Sequence, residues 1–218
     1  MGTITRNAAN NFTTGGVILP AAINDTSVAS LTELENVAAG GAMNLISEQT
    51  ASASSSVNFT SGIDSSYPIY KFEFINLHPS VDGAKATFNL STDGTNFNVT
   101  KTSTGFYAGH LENDTLTGFG FDSGRAQSTA DGYLAGGAVG NGNDESLSGS
   151  FFLFSPSSTT FVKHYVIDTN HYNQNPQAQR FFGGGYANTT SAIIGVRFNF
   201  DSGNIDSGTI KLYGISGS

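Results

Sequence analysis

The chain ends in two runs of residues in which apolar side chains recur at alternate positions. From 194 to 200 every second residue is apolar and falls on one face of an extended chain, a period of two that is typical of a half-buried β-strand. The polar segment 201–208 contains glycine, which tolerates the positive φ angles of tight turns. A second β-prone run, 209–215, follows. This pattern predicts a long antiparallel hairpin over 191–215 that closes the domain.

Short runs with strand character recur along most of the chain. They occupy residues 43–50, 57–59, 67–77, 84–90, 96–100, 105–121, 151–154 and 161–167. No apolar pattern with a helical period is long enough to supply the crossover helix of a parallel βαβ unit. We therefore predict an all-β protein of about ten strands, folded as an antiparallel β-sandwich of jelly-roll type.

Turn-forming residues predict where the strands are connected. The Asp93–Gly94 pair is the one preferred in tight primed turns, so we predict a hairpin that joins 84–90 to 96–100. Polar sequences rich in Gly, Asn and Ser at 122–148 and 168–187 predict two long loops, the kind of segment on which binding residues are often placed.

The bulk composition argues against several classes of protein. The 218 residues fit one large all-β domain and include no cysteine, so neither a disulfide framework nor a thiolate metal site is expected. The formal net charge is −8, from 9 basic and 17 acidic residues without a basic run, which argues against nucleic-acid binding. No apolar stretch reaches the length of about 18 residues that spans a membrane, and residues 1–6 lack the apolar region of a secretory signal.

Residues 1–42 differ in composition from the β-rich remainder, 43–218, which we predict to be the sandwich domain. Ser30 and Glu33 have the spacing of a capping box, so a short helix over 30–38 is expected. Because so short a helix is marginal alone, we predict an assembly arm that becomes ordered when it docks on a partner. The apolar residues expected to make its contacts are Val17, Ile18, Leu19, Leu31 and Leu34. The alternative is a frayed terminus with one helical turn.

Signatures of catalysis and of metal binding are missing from the sequence. Its four histidines form no HxH or HExxH pattern, so no zinc ligand set is predicted. No G-x-S-x-G elbow is present, and the acidic residues mostly stand beside Gly or Asn, where turn-forming and solvating roles explain them. The oxygen-rich segments 141–145 and 201–206 are interpreted as turns rather than calcium sites. We expect no enzymatic activity, no metal and no cofactor.

One ligand hypothesis comes from the aromatic residues of the predicted loops. Tyrosine rings can stack on sugars, and neighbouring polar groups can bind their hydroxyls. The candidate glycan-binding residues are Tyr133, His171, Tyr172 and Tyr186. The alternative is structural, because tyrosine also buries a loop against a sandwich or a neighbouring subunit.

A succession of short motifs resembles a family of virion proteins from marine tailed bacteriophages, which are described as structural or tail-fibre-like. The motifs are Met43–Ser47, Ser61–Tyr67, Phe72–Pro79, Asn89–Gly94, Asn98–Lys101 and Ser202–Ile215. The resemblance spans about residues 42–215 and brings no catalytic signature with it.

The resemblance implies a β-sandwich module displayed on a virus particle that is assembled in the host cytoplasm. The N-terminal arm is then expected to attach the module to a capsid or tail protein, and self-association, for example as a trimer, is expected. The role would be capsid decoration or cement, or part of a fibre or tail. The alternative is a lectin-like, receptor-binding module of a phage fibre that uses its loops to hold a host-surface glycan.

Overall fold

The computed structural model describes residues 43–115, 117–122 and 127–216. Within these ranges the chain is all-β, with thirteen strands and no helix. The strands are β1 (Met43–Ser54), β2 (Val57–Phe59), β3 (Ile69–Pro79), β4 (Ala86–Ser91), β5 (Lys101–Leu111), β6 (Thr117–Phe121), β7 (Gln127–Ser128), β8 (Gly132–Tyr133), β9 (Leu147–Phe154), β10 (Lys163–Asn173), β11 (Gln177–Ala187), β12 (Gly195–Phe200) and β13 (Ile205–Ile215).

The strands form two antiparallel sheets. The larger sheet has nine strands in the order β1-β13-β3-β9-β10-β11-β5-β6, with β7 also paired to β5. The smaller sheet has the order β2-β12-β4-β8. The predicted all-β antiparallel sandwich is therefore confirmed, whereas the jelly-roll connectivity stays a prediction.

Aromatic side chains from both sheets meet between them and form the core. The ring of Phe198, on β12, packs edge-on against Phe72 and Phe74 of β3, with centroid distances of 5.0 Å in both pairs. The ring of Phe88, on β4, lies 4.8 Å from that of Phe151 on β9. Each of these side chains is at most 1% exposed. Aromatic rings bury large apolar areas and favour tilted or edge-on contacts, so this layer holds the sheets together.

The predicted closing hairpin is wrong, although both of its strands exist. β12 pairs with β2 and β4 in the smaller sheet, whereas β13 pairs with β1 and β3 in the larger one. The connection between them crosses from one sheet to the other. It docks on the β3–β4 connection through backbone and side-chain hydrogen bonds of Asp201 to Lys85 and of Asn204 to Ser80. Alternation indicated a strand with one buried face but carried no information about its partner.

The predicted hairpin around Asp93–Gly94 is also wrong in its second strand. The turn itself forms: Gly94 has a φ of +76°, and the Asp93 carboxylate accepts the backbone N–H groups of Thr95 and Asn96. Residues 96–100 are not a strand, however. β12 pairs along the whole of β4 and β8 pairs with Thr87 and Phe88, and the returning chain makes one backbone hydrogen bond to β4, from Val99 to Leu90.

The predicted loop over 168–187 is a long hairpin instead. β10 continues to Asn173 and β11 begins at Gln177, with paired residues from Lys163–Ala187 to Asn173–Gln177. The polar sequence has two sources. One face of this ribbon is exposed, at Asn170 for example, and the buried face itself carries polar side chains such as Thr169, His171 and Gln179. Polar residues on the exposed face of an antiparallel sheet look like a loop when composition is considered without periodicity.

Between β7 and β9, only the two-residue strand β8 interrupts an irregular stretch. Its part from 129 to 139, here called the covering segment, closes one side of the sandwich. The backbone of Leu134 donates to Ala86 of β4 and accepts the hydroxyl of Thr169 from β10. Leu134 and Val139 are buried, so this stretch is part of the packed structure. The arm 1–42, its helix 30–38 and the residues Val17, Ile18, Leu19, Leu31 and Leu34 lie outside the described residues.

Replacing Phe198 with alanine tests the aromatic layer. Because the ring is buried against both β3 and β9, Phe198→Ala is expected to lower the free energy of unfolding by about 3–5 kcal/mol. Urea denaturation measures this loss. Phe161→Ala is the matched control, since the Phe161 side chain is 72% exposed and its removal should change stability by less than about 0.5 kcal/mol. Equal losses in the two variants would contradict the proposed core.

Candidate functional site

The four predicted glycan residues do not come together. Tyr133 belongs to β8 beside Thr87, and the ammonium of Lys85 lies 4.6 Å from its ring centroid. Tyr172 pairs with Ala178 near the tip of the β10–β11 hairpin, whereas Tyr186 pairs with His164 near the opposite end. No single binding surface can therefore use all of these residues.

His171 faces the core, unlike its neighbour Tyr172. Its side chain is 1% exposed, and neither ring nitrogen has a hydrogen-bond partner among the described residues. Burial lowers its pKa to about 4, because an apolar environment disfavours the imidazolium. His171 is thus a buried, neutral histidine and is not available to a surface glycan.

Tyr172 lies in a groove of about 380 Å³ at the end of the β5–β11–β10 part of the larger sheet. His110, Glu112, Asp114 and Asn170 also line the groove. The His110 Nε2 and Asp114 Oδ1 atoms are 3.2 Å apart, and a hydrogen bond with Glu112 raises the pKa of the Tyr172 hydroxyl. The groove combines an aromatic ring with carboxylate and amide groups, which are the groups that bind sugar hydroxyls.

An aromatic patch lies on the outer face of the larger sheet, at its β6 edge. The ring centroids are 5.2 Å apart for Phe106 and Phe182, 5.5 Å for Phe106 and Phe119, and 5.7 Å for Phe119 and Phe121. Phe119 and Phe121 are 66% and 73% exposed. Sequence analysis identified 105–121 only as β-prone. The available signal was Thr117–Phe121, where phenylalanine recurs on one face and glycine occupies the other.

A buried polar network lies on the face of β4 that points away from the aromatic core. The Asn89 amide nitrogen donates to Asp131 Oδ1 over 2.8 Å, and its oxygen accepts Lys101 Nζ over 2.7 Å. Asp131 also accepts Arg197 over 2.9 Å and Asn199 over 3.2 Å. Asn89 and Lys101 are 1% and 2% exposed.

The network corrects the interpretation of Asp131 as a turn-forming, solvated carboxylate. Burial raises the pKa of the Asp131 carboxyl. Hydrogen bonds from Asn89 and Asn199 and the positive charge of Arg197 together lower it by more, so the pKa of Asp131 is below its ordinary value. Sequence reasoning missed the network because its members come from β4, β5, β12 and the covering segment, and no local motif connects them.

The predicted turns have structural partners. The Asp201 carboxylate accepts the backbone N–H of Lys85, and the Glu145 carboxylate accepts the backbone N–H of Gly142. In both oxygen-rich segments a carboxylate therefore accepts a hydrogen bond from the protein's own backbone. In the described ranges, no group of three or more His, Asp or Glu side chains is arranged to hold a metal ion. Likewise, no helix in the described part of the chain is long and apolar enough to cross a membrane.

Comparisons with known proteins identify no relative: no family model, no curated protein and no solved structure matches the chain.

The buried imidazole of His171 predicts a pH dependence of stability. With a folded pKa of about 4 and an unfolded value near 6.5, the unfolded chain binds more protons between these pH values. Stability should therefore fall as pH falls through this window, by about 3 kcal/mol for this residue, and the loss should stop below the folded pKa.

Urea denaturation of His171→Leu from pH 7 to pH 4 measures this contribution. The variant should show a flatter pH dependence than the wild type, whatever its absolute stability. His164→Leu, at an exposed position of the same strand, should keep the wild-type slope. An unchanged slope in His171→Leu would contradict the assignment.

Proposed function

We propose that the protein is a non-enzymatic structural component of a bacteriophage particle, which decorates or cements the capsid or forms part of a fibre or tail. The observation that carries the proposal is the exposed aromatic patch at the β6 edge, because contiguous exposed apolar surface usually marks an interaction site. The motif resemblance to virion proteins supports the same role. In this proposal residues 1–42 attach the sandwich to a capsid or tail protein.

The occupant we assign to the aromatic patch is a second copy of the chain. β6 is the last strand of the larger sheet, and no described strand pairs with its outer edge. An open edge presents unpaired N–H and C=O groups to another strand. Two β6 edges placed antiparallel about a two-fold axis would continue the sheet and bring Phe119 and Phe121 of the two copies side by side on one face, where they bury part of each other's surface.

Polar substitutions in β6 test this self-association. Phe119→Ser combined with Phe121→Ser removes the most exposed rings of the patch and should weaken association by at least tenfold, because each buried phenylalanine contributes about 1.5–3 kcal/mol. Sedimentation equilibrium measures the dissociation constant. Phe161→Ser removes an equally exposed ring outside β6 and should leave it unchanged. A wild-type monomer, or an oligomer indifferent to the β6 substitutions, would contradict the proposed interface.

Deletion of residues 1–40 tests the attachment role of the arm. The truncated protein should keep a folded β domain, as shown by circular dichroism and a cooperative unfolding transition, yet fail to enter particles in an assembly assay. Normal incorporation of the truncated chain would exclude the arm as the attachment segment. Loss of folding would show instead that the arm belongs to the domain.

A second candidate function is glycan binding by a fibre module, and the groove around Tyr172 favours it. The ring lies beside Glu112 and Asn170, so stacking and hydrogen bonding could act on one sugar residue. Among the predicted glycan residues, Tyr172 and the buried His171 line this groove, whereas Tyr133 and Tyr186 lie elsewhere in the fold.

A glycan array with the full chain tests the second candidate. Binding should be lost in Tyr172→Ala and kept in Tyr133→Ala, because Tyr133 is not among the residues that line the groove. Absence of binding by the wild type, or equal loss in both variants, would exclude this groove as a glycan site.

A further inference from the structure

The buried network on β4 places a lysine amine against a side-chain amide. Lys101 Nζ is 2.7 Å from Asn89 Oδ1, and both residues are at most 2% exposed. The ring of Phe88 lies 6.0 Å from the same Nζ atom. The same Nζ atom also donates to the backbone oxygen of Val99 over 2.9 Å. The uncharged form of a lysine amine is the nucleophile.

The groups that acyl transfer requires surround the Asn89 amide. The backbone N–H of Leu90 donates to Oδ1 over 2.9 Å, where it would stabilise the negative charge that develops on this oxygen when the carbonyl is attacked. On the other side of the amide, Nδ2 donates to the Asp131 carboxylate over 2.8 Å. Nucleophile, oxyanion donor and proton acceptor therefore converge on one carbonyl group.

We propose that Lys101 and Asn89 join spontaneously in an intramolecular isopeptide bond. The Lys101 Nζ–Asn89 Cγ bond forms, the Cγ–Nδ2 bond breaks, one proton passes from Nζ to Nδ2, and ammonia leaves. The carbonyl oxygen stays on Cγ, and no oxidant or reductant is needed. Cγ is bonded to Oδ1, so a small rotation of the lysine side chain, which breaks the hydrogen bond to Oδ1, brings Nζ onto Cγ.

Asp131 is the catalytic residue that relays the proton. In the tetrahedral intermediate Nζ and Nδ2 are bonded to the same carbon, so the carboxylate that already contacts Nδ2 lies beside both nitrogens. The hydrogen bonds and the positive charge that hold its pKa below the ordinary value keep Asp131 ionised and able to accept the proton. Arg197 and Asn199 are positioning residues, because they hold the carboxylate without contacting the amide.

The bond would tie down the segment between β4 and β5, which is not part of a β-strand. Residues 92–100 follow β4 but do not form a strand, and one backbone hydrogen bond, from Val99 to Leu90, ties their end to β4. A covalent link from 89 to 101 closes this segment into a ring, which reduces the freedom of the unfolded chain in the way that a disulfide does. The chain has no cysteine with which to achieve this.

Intact mass spectrometry and a tryptic map of the denatured full-length chain test the proposal. The wild type should be lighter than its sequence by one ammonia molecule, about 17 Da. Because trypsin does not cleave after an acylated lysine, the digest should contain peptide 86–125, lighter by the same amount, and should lack 86–101. Lys163 is the internal control: it is also buried, but its ammonium donates to the backbone oxygen of Thr189, so peptide 126–163 should appear normally.

Substitutions of Lys101 and Asp131 test the role of each residue in forming the bond. Lys101→Arg and Asp131→Asn should show the full sequence mass, whereas His164→Leu should keep the mass loss. A wild type of full mass overturns the proposal, and so does a mass loss that maps to Asn141–Gly142, a sequence that can lose ammonia by cyclising on itself. Persistence of the bond in Asp131→Asn overturns the role of Asp131. The wild-type mass decides whether the bond exists even if a variant fails to fold.

Discussion

Burial of both faces of β4 is the constraint on which the rest of the structure depends. All side chains from Ala86 to Ser91 are buried. Ala86, Phe88 and Leu90 lie on the face that meets the larger sheet, and Thr87, Asn89 and Ser91 lie on the other. An unpaired buried polar group costs about 1–3 kcal/mol, and each of the polar three has a partner, supplied by β12, the covering segment and the Asp93 turn. These segments must therefore pack around β4 for the fold to be stable.

The packing around β4 determines which parts of the larger sheet are held by the core and which stay exposed for binding. Rings of the smaller sheet contact β3, β9 and β10, so the middle of the larger sheet is fixed by the core. Among the described strands, β6 pairs with β5 alone, and the aromatic patch at this end stays exposed. A rigid sandwich with an exposed aromatic patch at one sheet edge suits a protein that assembles with copies of itself. The buried network supplies a separate feature, a lysine and an amide held in reactive proximity.

The sequence predicted strands far better than it predicted their partners. Alternation predicted one buried face for Ile194, Val196, Phe198 and Phe200. The last three are buried as predicted, whereas Ile194, which precedes β12, is 37% exposed. The apolar set Tyr70, Phe72 and Phe74 is likewise buried. Periodicity reports a local environment, whereas pairing depends on residues distant in the chain. For this reason the sequence predicted a hairpin over 191–215, whereas in the structure its two strands, β12 and β13, belong to different sheets.

The candidate sites were harder to predict for the same reason. Asp131 precedes a glycine and looks locally like a turn residue, yet its carboxylate forms an ion pair with Arg197 of β12. His171 stands in a polar run, and only the strand period shows that it faces inward. Composition alone assigned both residues to surface loops. Lys101 was not singled out, because a buried lysine is rare and nothing nearby in the sequence indicates its partner Asn89.

Hydrogen exchange of the backbone amides tests most directly whether β4 is the enclosed centre of the fold. We predict that the amides paired between β4 and β12 exchange only when the whole domain unfolds, with protection equal to its global stability. Amides of β6, at the sheet edge, should exchange much faster through local opening. Exchange in β4 as fast as in β6 would contradict this prediction, because it would mean that the buried network and the covering segment do not enclose this strand.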